Sequence, residues 1–348
     1  MTLIDIVERG FVPDWLVRIG IRRMLKQRLL DAGNSSAPEF AAWLRQQPVA
    51  IAAELANSQH YEVPVEFFRA ILGPRLKYSC CLFADGLRSL AQAEEAMLDL
   101  TCQRAEIADG MDILELGCGW GSLSLWIAER YPNCRVLAVS NSRSQKEHIE
   151  ASCCEKHVCN IEVVTANVAD FSASRHYDRV ISVEMFEHMR NYERLLERVA
   201  DWLVPGGKLF VHIFCNRDFA YSFEIDGDGD WMARHFFTGG IMPSFDLFDQ
   251  FDRHVEVHRR WFMDGHHYAR TCEAWLLNLD SQQANLTNLF SNGIGATAVS
   301  VALQRWRIFL MACAELFAFG DGKQWGVGHY LFEPVRRFAN ASSMGSVL

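Results

Sequence analysis

The 348-residue chain is half hydrophobic, enough to bury a substantial core, and its net charge of −9 with a pI near 5.7 makes it a poor match for phosphate backbones, so no nucleic-acid partner is expected. It has neither a cleavable signal pattern nor an apolar run near the roughly 20 residues that span a bilayer, and a cytoplasmic location is expected. Eleven cysteines, an odd number with adjacent pairs at Cys80–Cys81 and Cys153–Cys154, lack zinc-type spacing; they read as reduced thiols, with no metal.

From Pro13 to Gly33, PDWLVRIGIRRMLKQRLLDAG interleaves Leu16, Ile19, Met24 and Leu25 with Arg18, Arg22, Arg23, Lys26 and Arg28. This is an amphipathic basic helix, which either packs one face on its own protein or lies on a membrane surface. From about Ala37 to Arg104 the pattern stays helical, with breaks at Pro48, Pro64 and the LGPRL of Leu72–Leu76.

The texture then changes. DILELG (Asp112–Gly117), RVLAVS (Arg135–Ser140), IEVVTAN (Ile161–Asn167), DRVISVE (Asp178–Glu184) and KLFVHIF (Lys208–Phe214) read as short buried strands. Helix-length segments between them make a βαβ series with a parallel sheet. An aromatic and acidic stretch follows, to about Pro243. HVEVHRRWF (His254–Phe262) alternates like a strand, a long helical portion runs from about Thr271 to Phe319, and WGVGHYLFEPV (Trp325–Val335) is expected to close the sheet as an edge strand. The fold class expected is α/β, a doubly wound and mostly parallel Rossmann-like sheet. Its divisions are a helical N-terminal portion at 1–104, a nucleotide-binding core at 105–215, an inserted cap at 216–324 with a core strand near 254–262, and a closing strand and tail at 325–348.

Gly117, Gly119 and Gly121 follow the first strand and precede a helix-like run, the place of a nucleotide-binding turn. The spacing is G-x-G-x-G, not the G-x-G-x-x-G whose third glycine lets helix and strand pack closely. The second strand ends in AVSNS, without the acid that usually grips ribose hydroxyls. Open α/β sheets bind ligands beyond the carboxyl ends of their strands. Glu184 ends the fourth strand, and Glu187 and His188 follow at i+3 and i+4, on one face if that turn is helical.

With Glu115 two residues before the first glycine, ELGCGWG resembles the first motif of S-adenosylmethionine-dependent methyltransferases. SNSRSQKEHI (Ser140–Ile149) resembles the NSxxQ segment of the cyclopropane fatty acid synthase and coclaurine N-methyltransferase family. KYSCCLF (Lys77–Phe83), SVEMFEHMRNY (Ser182–Tyr192), VHIFCNRDFAYSFE (Val211–Glu224), DWMARHFFTGGIMPS (Asp230–Ser244), HHYARTCEAW (His266–Trp275) and RWRIFLMACAELF (Arg305–Phe317) carry the resemblance over most of the chain. They are similar to the coclaurine-type enzymes of plants.

The resemblance implies S-adenosylmethionine as cofactor and S-adenosylhomocysteine as product. It places Tyr78, Ser79, Glu115, Gly117, Gly119, Gly121, Ser140, Asn141 and Gln145 at the cofactor. Asn167 stands where the family usually has an Asp facing the adenine amino group, so that contact loses its charge assistance. The activity implied is N-methylation of a small aromatic or alkaloid-like amine, with Glu184, Glu187 and His188 catalytic. His188 is the expected base, and Glu187 its partner or the group that positions the ammonium. Phe219, Tyr221, Phe236, Phe237, Trp306 and Phe309 are expected to offer aromatic faces to the acceptor, and the acidic run EIDGDGD (Glu224–Asp230) either draws cations or is a solvated loop.

The same family contains an alternative, methylene transfer to unsaturated phospholipid acyl chains at a membrane. There a bound bicarbonate takes the proton, held by positions matching Cys80, Glu187, His212 and Tyr268. Those synthases usually carry Gly where this chain has Glu184, and a second carboxylate beside an apolar alkene has no partner. N-methylation is therefore expected, with Cys80, His212 and Tyr268 among the substrate-binding residues. Bicarbonate and membrane contact belong to the alternative only, and a homodimer is left open.

Overall fold

Five strands run parallel: β1 (Asp112–Leu116), β2 (Arg135–Ser140), β3 (Ile161–Thr165), β4 (Tyr177–Val183) and β5 (Leu203–Asn216). Their apolar runs are continuous because both faces of the sheet are covered. Leu114, Leu116, Val180 and Val211 enter one core, while Ile113, Ile181 and Phe210 enter another. The computed structural model describes residues 2–31, 36–51, 63–224, 230–291 and 295–335. The Gly33 end of the first predicted helix, part of the 37–104 segment, the interior of the acidic run and the tail past 335 lie outside the described residues.

Two short strands, β6 (Tyr221–Ser222) and β7 (Ile241–Met242), pair with each other, and with β8 (Val255–Met263) and β9 (Trp325–Pro334) the main sheet has the order β3-β2-β1-β4-β5-β9-β8. The chain moves outward from β1 to β3 and returns to lay β4 on the other side of β1, so a topological switch point lies between β1 and β4. The loops that leave these two strands carry the glycine turn and Glu184–His188. Connectivity alone brings the two sequence motifs to one crevice.

β9 (Trp325–Pro334) corrects the expectation of a closing edge strand. It lies inside the sheet, antiparallel to both β5 and β8 (Val255–Met263), and residues 325 to 332 are all buried. β8 is the edge, with Glu256, His258, Arg259 and Arg260 exposed. The physical reason is in the patterns: the alternation of β8 suits a strand with a solvent face, whereas WGVGHYLF has no polar face to give to water.

The predicted helical portion after Thr271 consists of three helices, Gly265–Ser281, Gln283–Phe290 and Ala296–Ala318. The first starts earlier than its apolar pattern because Asp264 caps it, accepting from the His266 N–H at 2.8 Å. The N-terminal helix Asp14–Asp31 is fixed to this bundle by charge. Arg18 donates to Glu273 at 2.6 and 2.9 Å and to Glu315 at 3.0 Å, and Arg22 donates to Glu315 at 2.5 and 3.0 Å. Those pairs select the face that packs, burying Val17 and Ile21, whereas Leu16, Ile19 and Met24 of the predicted apolar face are exposed. Among the described residues no helix is long and apolar enough to cross a membrane.

Gly265 is where this bundle meets the sheet. A Cβ there would lie 2.2 Å from the carbonyl oxygens of both Phe317 and Trp325, on two elements that cannot both retreat. Gly265→Ala is expected to destabilise the protein by about 2–3 kcal/mol through overpacking, read as a lower midpoint in chemical denaturation. An unchanged midpoint would show that these elements yield.

Candidate active site

The glycine turn after β1 is left-handed three times over, with φ of 79°, 54° and 79° at Gly117, Gly119 and Gly121. A Cβ on Gly117 would strike Met185 at 2.7 Å, and one on Gly121 would strike Ile149 at 2.7 Å, so those two glycines serve the protein's own packing. A Cβ on Gly119 would meet no protein atom within 4 Å. Gly119 borders the crevice, together with Glu115, Ser79 and Tyr78 on one side and Ser140, Asn141 and Asn167 on the other.

Glu115 is buried at the end of β1, where it accepts a hydrogen bond from Ser124 Oγ, and burial pushes its pKa up to about 7. Ser140 ends β2 and donates to Gln145 Oε1 at 2.6 Å, and its oxygen accepts from the Ser142 N–H at 3.0 Å. This leaves Gln145 Nε2 buried without a partner among the described residues, a donor suited to an acceptor-bearing ligand in the crevice. The Asn167 side-chain oxygen is turned to the Ala169 N–H at 2.9 Å, which caps a turn. The crevice thus has the glycine cradle and the neutral hydrogen-bonding groups that S-adenosylmethionine requires. Sequence reasoning missed Trp120, Ser122 and Met185 on its walls, none of which stands out from a core residue by type.

Beyond β4 the backbone turns sharply. Glu184 has φ 49°, a left-handed conformation that costs a non-glycine residue about 1 kcal/mol. A short 3₁₀ turn follows at Phe186–His188. The shared helical face expected for Glu184, Glu187 and His188 does not form, because Glu184 lies outside the turn; the strand-end reversal brings the three together instead. All three line one cavity.

The reversal drives the Glu184 carboxylate into a ring of donors. Oε1 accepts from the Cys80 backbone N–H at 3.0 Å and stands 3.1 Å from His212 Nε2, and Oε2 accepts from the Tyr268 hydroxyl at 2.5 Å. Burial pushes the Glu184 pKa up, and the charge of buried Lys77 and these donors oppose the rise. Glu187, also buried, is pushed well above the carboxylate range by desolvation and by the charge of Glu184. Of the two, Glu187 holds a proton more readily, and negative charge is favoured on Glu184, which has the donors. Glu187 Oε2 has no partner among the described residues. Lys77 escaped sequence reasoning; its ammonium donates to Ser79 Oγ and, at 2.8 Å, to the Cys80 carbonyl, and so braces the loop that supplies the Cys80 amide.

The cavity holds about 840 Å³ and is walled by Tyr221, Phe237, Phe309, Tyr268 and Trp275, with Leu16, Ile19 and Met24 of the N-terminal helix along one side. Glu184 lines both this cavity and the crevice, as do Tyr78 and His188, and the His188 ring lies 4.9 Å from that of Phe237. The structure places Phe219, Phe236 and Trp306 differently from expectation: they are buried behind the wall. Phe236 stacks on Phe309 at 4.4 Å, Trp306 packs against Phe67 at 4.7 Å, and Phe219 lies against Tyr221 at 5.9 Å. Aromatic residues this close in sequence alternate between lining and backing a wall. Cys80 and His212 are likewise behind it, acting on Glu184.

The family model of mycolic acid cyclopropane synthetase matches residues 50–325. (S)-coclaurine N-methyltransferase of Thalictrum flavum subsp. glaucum is 38% identical over 342 residues, covering 95% of each chain. A crystal structure of coclaurine N-methyltransferase bound to N-methylheliamine and S-adenosylhomocysteine superposes with a TM-score of 0.91 at 38% identity, over 95% of this chain and 98% of that one. Cyclopropane-fatty-acyl-phospholipid synthase of Escherichia coli (strain K12) is more distant, 25% identical over 277 residues, 79% of this chain and 67% of that relative.

Gly119 separates cofactor binding from folding. Gly119→Ala is expected to cost about 1 kcal/mol for its left-handed φ but to leave a folded protein, because its Cβ meets no protein atom, while S-adenosylhomocysteine affinity falls at least about tenfold by calorimetry. Unchanged affinity would move the cofactor away from this turn.

Proposed function

The chain belongs to the mycolic acid cyclopropane synthetase family and is an S-adenosylmethionine-dependent methyltransferase, and from that premise we propose that it methylates the nitrogen of a small aromatic, alkaloid-like amine. The observation that carries this reading is the pair Glu184 and Glu187, buried where the cofactor crevice opens into an aromatic cavity. Against an alkene the second carboxyl group, Glu187, would be buried without a partner; against an ammonium it gains one.

In this reading S-adenosylmethionine, when bound, supplies an electrophilic methyl group and leaves as S-adenosylhomocysteine. The protein's part is to hold the amine and deal with its proton. An aliphatic amine resembles lysine, with a pKa of about 10.4, and arrives charged. Glu187, which lines the cavity, releases its proton to solvent as the ammonium enters and pairs with that cation, and the faces of Phe237, Tyr221 and Phe309 flank the cation and exclude water. His188, which lines both spaces, takes the proton and exposes the nitrogen lone pair. Glu184 keeps its donors throughout and balances the positive charge formed on nitrogen.

The division of the chain fits the same reading. Residues 1–104 act as lid, 105–215 as cofactor core, 216–324 as substrate cap, and β9 within 325–348 completes the core sheet. The acidic chain acts on a dissolved small molecule in the cytoplasm, without nucleic acid or membrane, and a homodimer is compatible with this arrangement.

Glu187→Gln and His188→Gln are each expected to lower amine turnover about 10²–10⁴-fold with little change in cofactor affinity. Raising the pH should restore much of the His188 variant, since more amine then arrives neutral, and little of the Glu187 variant, which has lost its cation partner. Full activity of both at neutral pH would remove them from the reaction. The acid limb of the wild-type rate should follow the raised carboxyl pair: the active form is deprotonated, so the rate rises with pH, and Glu184→Gln, by removing the neighbouring negative charge, should shift that limb downward.

Glu184→Gly suits the left-handed backbone and leaves the Cys80, His212 and Tyr268 donors around an anion-sized gap. It should lose amine methylation, keep cofactor binding, and regain part of its activity in added acetate, while the wild type ignores bicarbonate. A wild type that depends on bicarbonate would favour the lipid reaction.

A further inference from the structure

Arg104 ends the helix Leu90–Arg104, outside the active site, and is half-buried. Its guanidinium lies over the Trp261 ring, 4.8 Å from the centroid, and 3.0 Å from Met263 Sδ. Among the described residues no carboxylate pairs with it, and burial lowers its pKa to about 10. A half-buried cation is ordinarily paired, so its one strong hydrogen bond, from Nη1 to His329 Nδ1 at 2.8 Å, calls for a role.

His329 on β9 stands directly opposite His212 on β5, and Trp261 on β8 stands opposite His329, so the three side chains form a row across the sheet. His329 Nε2 lies 2.9 Å from His212 Nδ1, and His212 Nε2 lies 3.1 Å from Glu184 Oε1. Burial and the nearby charges of Lys77 and Arg104 push both imidazoles well below their usual pKa, so both rings are neutral and each carries a single proton.

A guanidinium can only donate. His329 Nδ1 must therefore accept, which puts its proton on Nε2 and makes it the donor to His212 Nδ1. His212 then carries its proton on Nε2, aimed at Glu184. In the opposite arrangement, with both protons on Nδ1, a nitrogen lone pair would face the carboxylate. We propose that Arg104 is a positioning residue: through His329 and His212 it fixes the tautomer that donates to Glu184 and so holds that carboxylate in its charged form.

The other groups facing Glu184 are Lys77, the Cys80 amide and thiol, the Tyr268 hydroxyl, the Cys272 thiol on the same helix as Tyr268, and Glu187 and His188 on the turn beyond. None of them reaches the far nitrogen of His212, which His329 alone contacts among the described residues. The row is oriented but does not conduct protons outward, because its outer end is a guanidinium.

The test needs no substrate. In ¹⁵N-histidine NMR of the protein saturated with S-adenosylhomocysteine, with signals assigned through His212→Gln and His329→Gln, both rings are expected as the neutral Nε2–H tautomer from about pH 6 to about pH 8. Arg104→Met should lose the single tautomer at both rings, and Arg104→Lys, which still donates, should keep it. A wild-type His329 with its proton on Nδ1, or an Arg104→Met spectrum with wild-type tautomers, would overturn the proposal. The kinetic arm rests on the N-methyltransferase reading: in Arg104→Met the acid limb of amine turnover should move up by about one unit, and return in Arg104→Lys. A wild-type limb in Arg104→Met would refute the link to Glu184. Tautomers that respond as stated in a protein that methylates no amine would uphold the positioning and sink the reading of function.

Discussion

A carboxylate stripped of water at the end of a parallel strand is the constraint on which the site depends. Left alone, Glu184 would take up a proton, since burial disfavours its charge. Its charge is favoured by the nearby ammonium of Lys77 and by three donors: an amide from one loop, a hydroxyl from the cap helix and an imidazole from the neighbouring strand. Each donor comes from a different part of the chain, so the charge exists only when core, cap and the loop around Lys77 are assembled. Glu187 then becomes the proton holder because its neighbour has taken the donors. Two like residues three positions apart thus acquire opposite states from their surroundings.

The fold supplies this arrangement by connectivity. Because β4 returns beside β1, the glycine turn and the Glu184 reversal face one another across the switch point, and the crevice opens directly onto the cavity under the cap. The N-terminal helix is held on the cap bundle by Arg18 and Arg22, whose carboxylate partners belong to helices that also line the cavity. The basic residues that suggested a membrane surface from the sequence therefore have internal partners at two positions.

Much of this was legible in the sequence, and the gaps have physical causes. The five parallel strands were visible as continuous apolar runs, and the glycine spacing with Glu115, Ser140 and Gln145 marked the crevice, because local backbone demands leave local signatures. β9 lies inside the sheet and not at its edge, a position that its lack of alternation against that of β8 carries. Phe219, Phe236 and Trp306 were expected at the wall and lie behind it, since aromatic type says nothing about which layer a ring occupies. The orientation of Glu184 could not be read at all, for it follows from one left-handed φ. Arg104 and His329 were invisible for a deeper reason: their relation to the site exists only through the cross-strand register of β5, β9 and β8.

The central claim is that this buried pair of carboxylates serves a nitrogen acceptor. It is tested most directly by mass spectrometry after incubation with S-adenosylmethionine carrying a trideuterated methyl group, in a mixture of aromatic amines and unsaturated phospholipid vesicles. Direct transfer to nitrogen leaves all three deuterons on an amine product, with the lipids unchanged. An unsaturated phospholipid that gained a methylene bearing two deuterons, with every amine returned unlabelled, would contradict the account.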